Sequence, residues 1–266
     1  MVRTNIAEDS GSRSVTERMG HFSVIEYEKD LSVTPFSAQN AWFASSMNVR
    51  KRQVLAELDD EHGVIVQAGA MQMMIGQVDM VTGVKGVGDL MKKAVGSAVT
   101  GETVLKPHYI GNGAVVLEPT FRYLLLEDMA DWEDGLVIQD GMFLACDDTI
   151  DMKVCARKNV SSALFGKEGL FNTVLFGEGT VVLESSVPKD ELFVVELEDD
   201  ELKIDGHQAI GWSGSLSFTV ERTAPTLIGS AASKEGLVNV YRGTGKVLVA
   251  PVAVNRGISV PKEDNV

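Results

Sequence analysis

The chain has 266 residues, 44% of them hydrophobic, with a mean hydropathy of +0.05, enough to bury a core without staples. Lys and Arg number 24 against 38 Asp and Glu, a net charge of −14 that opposes docking onto nucleic-acid phosphates or anionic lipid. Two cysteines, Cys146 and Cys155, exclude a disulfide framework and a zinc-type cysteine spacing, and no window has the apolar length to span a bilayer.

Residues 1–20 lack the apolar stretch of a secretory leader, and Glu8, Asp9 and Glu17 interrupt the arginines that a mitochondrial presequence would carry. They read as a loose tail ahead of one β domain over 21–255, with a second tail over 256–266 and a cytoplasmic location as the default. The run Arg50-Lys51-Arg52 is short and reads as a solvated strand end.

From residue 57 onward one pattern returns. IGNGAVVLE, FGEGTVVLE and RGTGKVLVA carry the glycine pairs Gly111/Gly113, Gly177/Gly179 and Gly243/Gly245, each 66 residues after the last. VIVQAG, LVIQDG and LKIDG end apolar runs on Gly69, Gly141 and Gly206, 72 and 65 residues apart. A fixed period marks duplicated units, here three copies over 57–118, 128–184 and 196–250. A phosphate loop needs strand, glycine loop, then helix. Each pair here runs instead into VVLE or VLVA, so all nine glycines read as structural turns or bulges.

Alternation in TIDMKV and SLSFTV fits half-buried strands, and LFVVEL or VLVAPV fits strands covered on both faces. The expected class is all-β: packed antiparallel sheets from three internal repeats in a pseudo-threefold arrangement. Cys146 and Cys155 flank an expected hairpin as two reduced thiols. VGDLMKKAVGSAVTGE at 87–102 breaks the pattern, because Asp89 can cap a short helix carrying Leu90, Met91 and Val95. Beside it lies MQMMIGQVDM. Strand alternation assigns the methionines first to core filling; the alternative is an interaction surface of Met71, Met73, Met74, Leu90, Met91 and Val95, in the copy that departs most from the others.

The segments TGETVLKPHYIGNGAVVLEP, DGMFLACDDTIDMKV, GKEGLFNTVLFGEGTVVLES, DGHQAIGWSGSLSF and SKEGLVNVYRGTGKVLVAP together resemble the altered-inheritance-of-mitochondria, number-twenty-four family, over about 60–252. The resemblance implies a β-sandwich-like fold akin to the tryptophan-RNA-binding attenuation protein. It implies no catalytic residues, and the missing presequence places the chain nearer the prokaryotic members of that family.

Reactive constellations are absent from the pattern. GWSGS at 211–215 resembles a nucleophile elbow in letters only, since a strand follows it. His21, His62, His108 and His207 show no ligand spacing, so neither metal nor cofactor is expected. Three acidic turns, ELDDEHG, ADWEDG and ELEDDE, align Glu61, Glu133 and Glu198, with Asp59, Asp131 and Glu196 two residues earlier. Such turns can hold a hard cation, but they read first as solvated tips. The expected function is a non-enzymatic scaffold or interaction module with an unknown protein partner or itself, and possible homo-oligomers. A binding domain for a small molecule or cation is the alternative. RNA binding rests on fold analogy alone.

Overall fold

The computed structural model describes residues 3–81, 106–156, 171–205, 208–222 and 237–251, nearly all of them in or beside β-strands. The chain opens with a hairpin, β1 (Arg13–Met19) and β2 (Phe22–Tyr27), turned at Gly20 and His21. The expected loose tail is therefore in part an edge strand. Val15 packs against the cluster of Ile25, Leu55, Ala114 and Val116. One inward valine among Arg13, Glu17 and Arg18 gives too weak a period to read from sequence.

Helix α1 (Ala38–Ser46) buries none of its residues and leads into β3 (Lys51–Leu58), which pairs with β2. The basic run at the start of β3 is not solvated throughout. Arg52 is 3% exposed. Its guanidinium lies 2.7 Å from Glu26 Oε2 and 4.2 Å from the centroid of the Tyr123 ring.

Three successive stretches of the chain supply the remaining strands. In the first, β6 (His108–Leu117) pairs along its length with β5 (Met71–Val81). Its other edge meets β4 (Val64–Val66) before the Gly111–Gly113 segment and β3 after it. The second stretch contains β7 (Tyr123–Asp128), β8 (Leu136–Ile138), β9 (Phe143–Asp147), β10 (Ile150–Ala156), β11 (Phe171–Gly177) and β12 (Thr180–Ser185). Here β11 lies between β10 and β8, and beyond Gly177–Gly179 β12 lies between β9 and β7. The third contains β13 (Phe193–Asp205), β14 (Ala209–Ser213), β15 (Ser217–Arg222) and β16 (Leu237–Val249). Here β16 pairs with β13 throughout, with β15 up to Arg242 and with β14 from Val247.

All these ladders are antiparallel and make two sheets. One has 9 strands, ordered β1-β2-β3-β6-β4-β9-β12-β7 with β5 on the outer side of β6. The other has 7, ordered β10-β11-β8-β14-β16-β13 with β15 beside β16. They share a core. Leu125, Cys146, Val181 and Leu183 of the first pack with Leu136, Ile138, Leu175 and Leu248 of the second. Each such side chain contributes about 1.5–3 kcal/mol by leaving water.

The glycine pairs do not reverse the chain as expected. Gly111 and Gly113 lie inside β6, and Gly243 and Gly245 inside β16, so a single strand runs through each pair while its neighbour changes. Gly177 and Gly179 mark the step from one sheet to the other. At position 113 the reason is close approach, since a Cβ there would land on the Ile75 carbonyl oxygen, whereas Gly243 has ordinary surroundings and a φ of +122°. Gly69 and Gly141 sit in the β4–β5 and β8–β9 turns at φ +84° and +77°, and Gly206 lies outside the described residues.

Two further expectations change. Cys146 and Cys155 do not flank a hairpin, because β9 pairs with β4 and β12 while β10 pairs with β11 in the other sheet. The third acidic segment is no strand-separating turn; it is a bulge between Leu197 and Asp200 within β13. The expected helix at 87–102 and the tail at 256–266 lie outside the described residues.

Candidate functional site

Of the expected interaction surface, the described part is β5. Met73 and Met74 are 41% and 44% exposed, Met80 and Val81 are exposed beside them, and Met71 packs inward against the core. Leu90, Met91 and Val95 lie outside the described residues. The strand is anchored on one side: Gln53 Nε2 donates to Gln72 Oε1 at 2.6 Å and to the Leu117 carbonyl at 2.7 Å. Among the described residues, β5 has a ladder partner only in β6. Two inner strands differ. Both β9 and β14 are buried along their length and paired on both edges.

Histidines that look scattered in the sequence converge at one end of the larger sheet. His21, in the β1–β2 turn, packs against His62, in the β3–β4 turn, with ring centroids 4.4 Å apart and the rings tilted by 31°. Asp59 Oδ1 accepts the backbone N–H groups of Glu61 and His62 and lies 2.8 Å from His62 Nδ1. Those contacts, the Glu61 N–H first, lower the Asp59 carboxyl, and Asp59 in turn raises the His62 imidazole. Beneath them Asp147 is buried; burial raises its carboxyl, and the bond from the Thr180 N–H partly offsets this. A second pair, His108 Nε2 and Asp148 Oδ2 at 2.9 Å, packs against Gly63, where any side chain would collide with both. Sequence spacing missed this cluster because strand pairing, not chain proximity, brings positions 21 and 62 together. The one sequence signal was Asp59-x-x-His62, a turn with a built-in carboxylate–imidazole contact.

The acidic turns do not form one rim around a shared centre. Asp131 and Glu133 face Glu196 and Glu198 across a shallow cleft that also holds Lys246. The Lys246 ammonium sits 4.1 Å from the centroid of the Trp132 ring. The third turn, with Asp59, belongs to the histidine cluster instead. That cluster, His21, Asp59 and His62, is the one place among the described residues where at least 3 metal-ligating side chains converge.

An antiparallel β protein with curled, core-sharing sheets is thus the class that the fold defines. The family model "Mitochondrial biogenesis AIM24" matches residues 45–252. An uncharacterised protein of Streptococcus pyogenes serotype M6 is 30% identical over 207 residues, 73% of this chain and 80% of that protein. The X-ray crystal structure of a Streptococcus pyogenes protein aligns with a TM-score of 0.56 at 24% identity, covering 77% of this chain and 90% of the other. The chain belongs to the AIM24 family. No helix among the described residues is long and apolar enough to cross a membrane.

Proposed function

We propose that this AIM24-family chain is a non-enzymatic scaffold made of three copies of one β unit, and that it associates through β5. The shared pairing scheme supports the repeat: β3–β6, β7–β12 and β13–β16 each place one long or broken strand between the same pair of neighbours. Units are joined alike, β4 of the first on β9 of the second and β8 of the second on β14 of the third.

One observation carries the association. By that scheme the first half of β5 occupies the place of β9 and β14, yet its outer edge has no ladder among the described residues, and Met73 and Met74 are exposed. An unpaired edge beside adaptable side chains suits strand addition. The complementary edge belongs to the second half of β13, which among the described residues pairs with β16 alone and holds the place of β4 and β8. A second copy of this chain is therefore the first occupant to expect, joined β13 to β5. Such a head-to-tail contact closes into a ring or grows into a filament.

Sedimentation velocity over a range of concentrations tests this. Association should appear in the wild type and disappear when Met73 and Met74 are both changed to glutamate. A wild type that stays monomeric at every concentration, or association unaffected by that double change, would remove the reading.

A further inference from the structure

We propose that His21, Asp59 and His62 form a binding site for a divalent transition-metal ion of the zinc type. The site is built by two turns that the pairing of β2 with β3 sets side by side. The Glu57 N–H donates to the His21 carbonyl at 2.9 Å and ties one turn to the other. One ligand atom from each residue lies within 4.8 Å of the other two. Small rotations bring such donors onto one ion with bonds of about 2.0–2.2 Å. Part of the geometry is already set. Asp59 Oδ1 and His62 Nδ1 already lie 2.8 Å apart, the spacing of two ligand atoms on one ion, which would take the place of the proton between them.

A second observation points to the same place. Asp147 is 7% exposed and packs beside Gly20, next to His21. Its Oδ2 accepts the Thr180 N–H at 2.7 Å, while its Oδ1 has no hydrogen-bond partner. Buried carboxylate oxygens are ordinarily satisfied, and water carried by the ion is the partner we assign to this one. The donor set selects the metal: two imidazoles with one carboxylate suit zinc and its neighbours, whereas calcium and magnesium take oxygen ligands. Three protein ligands leave a coordination position for water. The site lies on residues distinct from β5, so it stands or falls apart from the association proposed above.

Calorimetry with zinc chloride on the full chain should show one ion bound per chain. His21→Gln and His62→Gln should each weaken binding at least about tenfold, the scale on which even outer ligand partners act. Both positions lie in turns, so the substitutions spare the core. A readout without variants is the histidine ring spectrum of the wild type, in which zinc should shift His21 and His62 ahead of His108. Absence of zinc binding, binding that survives both substitutions, or ring signals of His21 and His62 that stay in place would each overturn the proposal.

Discussion

Gly113 on β6 stands directly opposite Gly76 on β5, and neither position has room for a side chain. A Cβ on Gly76 would meet the Asn112 carbonyl oxygen at 2.7 Å, and Gly76 itself holds φ +91°. Here β6 leaves β4 for β3, and the paired glycines let both backbones bend together.

Gly113→Ala should therefore destabilise the chain by about 1–3 kcal/mol, the usual cost of forcing atoms into a filled site. Gly141→Ala is the control. Its φ is +77° but its surroundings are open, so only backbone strain of about 1 kcal/mol applies. Urea unfolding of both variants gives the order directly.

The β class was legible in the sequence from the apolar runs and alternation around the spaced glycines. Their geometry was not legible. A G-x-G inside a continuous strand and one between strands carry the same letters, and only the ladder on each side separates them. The first hairpin was missed because its edge strand buries little, and α1 because it buries nothing. The methionine run stood out by composition. The His21–His62 contact depends on the β2–β3 register, which a single sequence does not print.

Arg52 should matter more than a surface arginine. Its guanidinium is enclosed by Glu26, the Asn48 carbonyl and side-chain oxygens, and the Tyr123 ring. Arg52→Ala leaves Glu26 with Arg50 alone and takes the guanidinium from Asn48 Oδ1, so it should cost about 1–3 kcal/mol. Arg50→Ala, in a more exposed pair with Glu26, should cost about 1 kcal/mol or less. Chemical denaturation compares the two.

Glu221 carries a pH dependence of known sign. Its hydrogen bonds from Arg242 hold the carboxyl at about 2, below its ordinary 4.5. A lowered folded-state value means the unfolded chain binds the proton more readily. The pair's contribution is thus present above about 4.5 and is lost as the pH falls toward about 2. A carbon-detected titration of the Glu221 carboxyl should show a midpoint near 2, moving up toward 4.5 in Arg242→Gln.

Cys146 is buried in the shared core, and burial raises its thiol far above the ordinary range. Thiolate, not thiol, attacks disulfide reagents. Labelling at Cys146 should be absent in the folded chain and complete in denaturant, with mass spectrometry assigning the site. No Cys146–Cys155 cross-link should form, since the two positions lie on strands of different sheets.

The proposed association through β5 is tested most directly by amide hydrogen exchange read residue by residue. In dilute protein, the β5 amides that point away from β6 should exchange fast while β9 amides stay protected. At high concentration those same β5 amides should slow. Outward β5 amides that are already fully protected in the dilute monomer, or that exchange at one rate whatever the concentration, would contradict the account.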